Sequence, residues 1–278
     1  MADAGPDTSA AWGKPVQFNG SGTDGADDQS TLVYSWAFGD GAFASGGANA
    51  VHSYAAPGVY TATLSVKDQH GAIGTDTRVV TVGARSVAGA FLGSNGIYDT
   101  AGTLSASFTD QYGSPLKSRT IDFKVDGVAV GSAQTDASGI ATLAYTPDVD
   151  AGSHSVSAAF AGDAQYGAAS ANGSITVARK ATSVVYNGST SGGPNKTINL
   201  QAVLKDATGK ALAGRTIAFK LGTQTASATT DANGVAKASL TLNQKNGSYP
   251  LTATFTPTGA DGNHYTGSGS AGTFSLKK

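Results

Sequence analysis

The chain has 278 residues, a formal net charge of −1, only 13% charged residues and no cysteine. That excludes the basic footprint of a nucleic-acid binder, a disulfide framework and a thiolate metal site. All 19 acidic residues are Asp and 38 residues are Gly, a turn-forming composition without the helix-favouring Glu.

In chain order, Met1-Ala2-Asp3 lacks the charged and apolar regions of a secretory leader. The expectation is a segment cut from a longer protein. "FNGSGTDGADDQS" is the richest source of hard oxygens. Asn19, Ser21, Asp27, Asp28 and Asp40, with Asp24 as an alternative, are the candidate ligands of a Ca²⁺ ion, which takes six to eight oxygens. The competing reading is a solvated Asp-rich turn. No other cofactor is required. "YSWAFGDG" puts Trp36 and Phe38 on one strand face, then turns on Gly39 and Gly41, with Asp40 placed to accept backbone N–H groups.

Further on, "TATLSVKD", "RVVTV", "TIDFKV", "HSVSAAF", "INLQAVLKD" and "YPLTATF" alternate apolar and polar residues with period two. Each predicts a half-buried strand, and turn clusters such as "DQHG", "TDASG" and "QKNGS" bound them. No window has helical periodicity over three turns. The fold class is therefore all-β, built of sandwiches. Phe108–Val125 matches Leu204–Leu221, 96 residues on, and "TDASGIA" matches "TDANGVA" 95 residues on. Tyr166 corresponds to Tyr265 after the small insertion "PTGADGNH". A repeat of that period is one immunoglobulin-sized unit. The predicted domains are residues 1–84, 85–178 and 179–278. "GARS" and "ARKA" at the junctions are too short for floppy tethers, so three sandwiches end to end make an extended rod on the order of 100 Å long.

The remaining motifs carry little chemistry. His52, His70, His154 and His264 have no zinc-ligand spacing, and no G-x-S-x-G elbow is present. "GSGSAG" fits G-x-G-x-x-G but precedes a strand, where a dinucleotide site needs a helix. The chain reads as non-enzymatic. Asp148, Asp150 and Asp163 are weaker candidates for an interdomain cation, and a Lys–Asn or Lys–Asp isopeptide crosslink stays open. Five N-x-S/T sequons begin at Asn19, Asn172, Asn187, Asn195 and Asn246, and four of them also read as Asn-Gly turns. Among aromatics outside the clearest strands, Trp12 and Tyr98 are the candidate sugar contacts.

"ADAGPDTSAAWGKPVQFNGSGTD", "YSWAFGDG" and "HSYAAPGVYTATLSVKDQHG" together resemble a PKD domain over about residues 2–83, departing from it at Ala37, where Asp is usual. "RTIDFKV", "TDASGIATL" and "AAFAGDAQYGAAS", repeated as "RTIAFKL", "TDANGVAKASL" and "HYTGS", resemble bacterial Ig-like domains of the invasin and large-adhesin type. In the second copy, Ala211 stands where the first has Pro115. The resemblance implies extracellular or cell-surface sandwiches, and in some PKD domains a calcium-binding loop. The implied role is a non-catalytic spacer or stalk of a secreted or surface prokaryotic protein, presenting a head or catalytic domain and serving in adhesion. The alternative is a polysaccharide-binding accessory module of a secreted hydrolase. Expected partners are other domains of the parent protein, or a polysaccharide or cell-surface glycan, with no nucleic acid and no membrane insertion.

Overall fold

The computed structural model describes residues 1–24 and 32–277. The predicted alternation becomes strands throughout. In the first unit they are β1 (Ala2–Asp3), β2 (Thr8–Ala11), β3 (Val16–Asn19), β4 (Ser21–Gly22), β5 (Val33–Ala37), β6 (Phe43–Ser45), β7 (Asn49–His52), β8 (Gly58–Lys67) and β9 (Ile73–Gly83). The second unit holds β10 (Val87–Phe91), β11 (Gly96–Ile97), β12 (Gly102–Asp110), β13 (Thr120–Val125), β14 (Val128–Gln134), β15 (Ile140–Tyr145), β16 (Gly152–Phe160) and β17 (Ala169–Ala178). The third holds β18 (Thr182–Tyr186), β19 (Ser191–Gly192), β20 (Thr197–Asp206), β21 (Thr216–Leu221), β22 (Gln224–Thr229), β23 (Val235–Thr241), β24 (Gly247–Phe255) and β25 (Ser268–Leu276). A single helical turn, α1 (Ala260–His264), lies in the insertion that distinguishes the third unit from the second.

Each unit is a sandwich with its own apolar core. A five-stranded sheet in the order β2-β9-β8-β5-β6 faces the pair β3-β7 in the first. The second packs β11-β17-β16-β13-β14 against β10-β12-β15, and the third repeats this strand for strand, with β19-β25-β24-β21-β22 against β18-β20-β23. In all three, a short early strand pairs parallel with the last one: β2 with β9, β11 with β17 and β19 with β25.

Period two explains the packing. In β13, Ile121, Phe123 and Val125 turn inward, and Thr120, Asp122 and Lys124 outward; β21 does the same with Ile217, Phe219 and Leu221. The three cores share no buried residue, but Tyr98 packs against both the second and the third. In the first core, Trp36 is 1% exposed and packs on Phe18, ring centroids 5.0 Å apart.

The sharp stop after Trp36 and Phe38 is a backbone requirement. Gly39 has φ +86°, and a Cβ there would stand 2.6 Å from the Thr61 carbonyl oxygen. Asp40 Oδ1 accepts the Ala42 N–H at 3.0 Å, the turn role predicted for it.

Residues 169 to 178 of β17 cross the second sandwich from one pole to the other, a span of about 30 Å at strand rise. One pole meets the first unit and the other meets the third, so the three stand in line as an extended rod.

Candidate functional site: the two interdomain junctions

The polar and aromatic side chains that the cores do not use gather at the two junctions. At the first, the chain leaves β9 at Gly83, and two residues later Arg85 joins the second sandwich through an isolated parallel bridge to Tyr166. Its N–H bonds the Gln165 carbonyl at 2.9 Å, and its carbonyl accepts the Gly167 N–H at 2.8 Å. The guanidinium then reaches both ways. Nε donates to the Trp12 carbonyl of the first unit at 2.9 Å. Nη1 pairs with Asp110 Oδ2 of the second at 2.7 Å. The same cation lies 4.9 Å from the Trp12 ring and 5.3 Å from the Tyr112 ring, and the Lys14 ammonium sits 3.9 Å from Tyr112. Trp12 meets Tyr166 edge-on at 5.7 Å.

Asp110 is held for this task by its own turn. Its Oδ1 accepts the N–H groups of Tyr112 and Ser114 at 2.9 Å each. Burial pushes its carboxyl up, but Arg85 and the two turn N–H groups outweigh that and keep it below the ordinary carboxylate range.

The second junction repeats the arrangement with different residues. Lys180 takes the place of Arg85: its N–H bonds the His264 carbonyl at 2.8 Å, and its carbonyl accepts the Thr266 N–H at 3.0 Å. Its ammonium donates to the Asp99 carbonyl at 2.7 Å and pairs with Asp206 Oδ2 at 2.9 Å. Lys180 and Asp206 side chains are 3% and 0% exposed. Asp206 Oδ1 accepts the N–H groups of Thr208 and Lys210 and the Thr208 hydroxyl. Burial alone would raise the Asp206 carboxyl, but these donors and Lys180 bring it down to about 2. Lys210 bonds the Asp99 carboxylate at 2.9 Å.

Tyr98 holds the place of Trp12. Its N–H bonds the Ala178 carbonyl as that of Trp12 bonds the Gly83 carbonyl, and it meets Tyr265 edge-on at 5.7 Å. Its other contact is new. His264 from α1 stacks on it at 3.9 Å, with the planes 4° apart. Asp150 of the second unit binds both Asn263 Nδ2 (2.9 Å) and His264 Nε2 (3.0 Å), and the Ala151 N–H donates to the Asn263 carbonyl at 3.1 Å. The insertion thus forms an additional clasp that the first junction lacks. The "RTI" arginines position the junction tyrosines from within each unit. Arg119 pairs with Asp163 and lies 5.3 Å from the Tyr166 ring; Arg215 pairs with Asp261 and lies 5.9 Å from the Tyr265 ring.

The two candidate sugar contacts, Trp12 and Tyr98, therefore stand half-buried at equivalent places between domains, with their rings engaged by protein. Of the candidate calcium ligands, Asn19, Ser21, Asp40 and the alternative Asp24 lie among the described residues. Asn19 and Ser21 are exposed at strand ends, opposite Asn49 and Asp3. Asp40 instead binds His52 Nε2 at 2.7 Å, and His52 lies opposite Val16, three residues or about 10 Å along β3 from Asn19. Burial raises the Asp40 carboxyl, but His52 and the Ala42 N–H hold it below its usual value. Asp27 and Asp28 lie outside the described residues. Among the described residues, no group of three or more His or Asp side chains is arranged to hold a metal ion. Asp150 and Asp163, two of the three interdomain cation candidates, are bound to His264 and Arg119. The buried lysine–aspartate pair, Lys180–Asp206, has its counterpart in Arg85–Asp110.

Sequence reasoning marked the junction segments "GARS" and "ARKA" but missed Arg85, Lys180, Asp110 and Asp206. The signal was present: a basic residue opens each repeat, and an Asp-x-x-Gly turn follows 25 residues after Arg85 and 26 residues after Lys180.

Comparison with known families agrees with this architecture. A PKD domain model matches residues 1–82. The bacterial Ig-like domain (group 3) model matches residues 92–178. Residues 1–82 thus form a PKD domain and residues 92–178 a bacterial Ig-like domain. The third unit repeats the strand order of that Ig-like domain. A three-Ig segment of titin is similar over 98% of this chain and 96% of its own, at 13% identity and a TM-score of 0.38. A Ca²⁺-stabilized adhesin that helps an Antarctic bacterium bind ice is similar over 100% of this chain and 75% of its own, at 17% and 0.32. SGBP-B of the Bacteroides ovatus mixed-linkage glucan utilization locus, in complex with a heptasaccharide, is similar over 98% and 66%, at 12% and 0.22. At these scores none of the three bears on function. PKD and Ig-like domains are characteristically non-catalytic, extracellular-type modules. Among the described residues, no helix is long and apolar enough to cross a membrane.

Proposed function

We infer that the chain is a stiff spacer, a stalk segment of a secreted or surface-displayed prokaryotic protein that holds a head or catalytic domain at a fixed distance. The junctions carry the inference. A flexible string of domains needs no buried ion pair at its links, whereas Arg85–Asp110 and Lys180–Asp206 each bury a carboxylate to 1% exposure or less. Such a pair is stabilising only when geometry is fixed, because each charge must offset its own desolvation. Continuous backbone bonds through Arg85 and Lys180 add a second constraint on bending.

The polysaccharide-binding alternative loses its two best aromatics to the junctions, leaving Phe43, 78% exposed, as the largest free ring of the PKD domain. Two experiments test the reading. Small-angle scattering of the intact chain should give one rod of on the order of 100 Å, and replacing both Arg85 and Lys180 by Ser should broaden it. Scattering from the unmodified chain that demands a wide ensemble of bends would overturn the spacer. Retention on insoluble chitin or cellulose, lost on Phe43→Ala, would replace it with the accessory-module reading.

A further inference from the structure

The three domains solve one local problem in the same way, with a single departure. Each carries a Gly-x-aromatic opening on its longest returning strand: Gly58-Val59-Tyr60, Gly152-Ser153-His154 and Gly247-Ser248-Tyr249. The three positions are equivalent by register, because Tyr60, His154 and Tyr249 pair with Val80, Ile175 and Phe274 at the same step of the last strand. In the PKD domain the Tyr60 hydroxyl donates to the Ala56 carbonyl, four residues back, at 2.8 Å. In the last domain the Tyr249 hydroxyl donates to the Lys245 carbonyl, also four back, at 2.8 Å. In the middle domain His154 Nε2 takes over the tie, to the Asp150 carbonyl at 2.7 Å. A phenol holds such a bond across the whole neutral range, since it titrates near pH 10. An imidazole does so in one protonation state or one tautomer.

The other ring nitrogen is committed as well. His154 Nδ1 lies 2.6 Å from Asp126 Oδ2. Asp126 Oδ1 already accepts the N–H and the hydroxyl of Ser155, which hold that carboxyl in its ionised form. A carboxylate and a carbonyl can only accept, so both nitrogens of His154 must donate, and that is the imidazolium. The groups facing it are Asp126 from the β13–β14 turn and Asp150 from its own loop, with Tyr145 and Asp148 beyond Asp126 and His264 beyond Asp150.

What this histidine anchors matters most. The loop of residues 146–151 carries the whole of the extra clasp at the second junction: Asp150 on Asn263 and His264, and the Ala151 N–H on the Asn263 carbonyl. The same loop accepts the Asp99 N–H at Pro147, beside the Lys180 pin. We propose that His154 makes the second junction a pH-graded joint, clasped while the imidazolium bridges Asp126 and Asp150 and loosened once it loses a proton. This rests on the spacer reading and adds a control to it. On deprotonation the remaining N–H stays with the Asp126 carboxylate, the stronger acceptor, and the Asp150 carbonyl is released.

Burial lowers the His154 basicity, but the bonds to Asp126 and Asp150 outweigh it and raise its pKa above the ordinary 6.5. The sign follows: the clasp is complete below that ordinary value and is lost as pH rises through the raised one. Among the described residues, the first-junction contacts given above include no histidine, so its stiffness should be flat over the same range.

Amide hydrogen exchange on the intact chain tests this, at about pH 5.5 and about pH 8.5, either side of the histidine range. The Ala151 amide reports the clasp, and the Gly167 amide, bonded to the Arg85 carbonyl, is the internal reference at the first junction. After correction for intrinsic rates, Ala151 protection relative to Gly167 should fall roughly tenfold at the higher pH, the size of one charge-assisted hydrogen bond. His154→Tyr, which installs the tie used by the other two domains, should flatten that dependence, and His154→Gln should leave protection pH-independent. Constant Ala151 protection in the unmodified chain, or the same fall persisting in both variants, overturns the proposal. Paired spin labels across each junction separate the two readings. Broad distances at both junctions and both pH values defeat the spacer itself. Narrow distances with flat Ala151 protection keep the spacer and remove only the pH grading.

Discussion

Lys180 Nζ stands 2.9 Å from Asp206 Oδ2 with both side chains all but out of solvent, and the lysine belongs to the linker while the aspartate belongs to a turn of the last domain. Removing one partner strands the other charge. Lys180→Met should therefore destabilise the last domain by about 3–5 kcal/mol, while Lys180→Met with Asp206→Leu should recover much of it. Urea unfolding of the two variants checks this; equal losses would show that the pair is not coupled.

The depressed Asp206 carboxyl sets an acid limit. Its stabilising contribution is in place above the ordinary 3.8 and drains as pH falls towards about 2, where the folded carboxyl takes up its proton. Melting of the last domain should hold down to about pH 4 and then drop, and Asp206→Asn should blunt that drop.

At the first junction, Trp12→Ala removes the edge contact with Tyr166 and the ring over which Arg85 lies. The expected loss is about 1–3 kcal/mol of docking with both flanking cores intact, and Trp12→Phe should restore part of it. Distance distributions between labels on the first two domains should broaden in Trp12→Ala alone.

Chelation should leave both junctions unchanged. Their carboxylates, Asp110, Asp206, Asp99 and Asp150, already face Arg85, Lys180, Lys210 and the His264 ring, so the protein's own side chains occupy the place a divalent ion would take. Label distances that spread in chelator would refute this.

Two glycines of one domain separate strain from crowding. Gly209 (φ +84°) has open space where a Cβ would go, so Gly209→Ala should cost about 1–2 kcal/mol for conformation alone. Gly234 (φ +75°) would set that Cβ 2.4 Å from the Leu204 carbonyl oxygen, and Gly234→Ala should cost several times more. Equal melting temperatures for the two variants would contradict the packing.

What was readable from the sequence is what is local. Period two in "TIDFKV" and "TIAFKL" places Phe123 and Phe219 inward, and "GDG" after Trp36 announces a turn on Gly39 and Asp40. The junctions were not readable, because their partners are distant in sequence: Arg85 finds Trp12 73 residues before it and Asp110 25 residues after it. No periodicity encodes such a meeting. Trp12 and Tyr98 could be recognised as aromatics outside the strands, but what covers them is a neighbouring domain. Asp40 has both kinds of partner: Ala42 follows from turn chemistry, whereas His52 depends on how β7 docks.

The parallel pairing of an early strand with the last one recurs in all three sandwiches, and it decides how the molecule bears a load. Tension applied at the two ends of the chain pulls β2 against β9, β11 against β17 and β19 against β25 along their own lengths. Rungs stressed in that direction must break together and not one after another. A chain built this way resists being pulled apart end to end, and its weakest parallel ladders under pull are the shortest, the two-residue pairs of the second and third units.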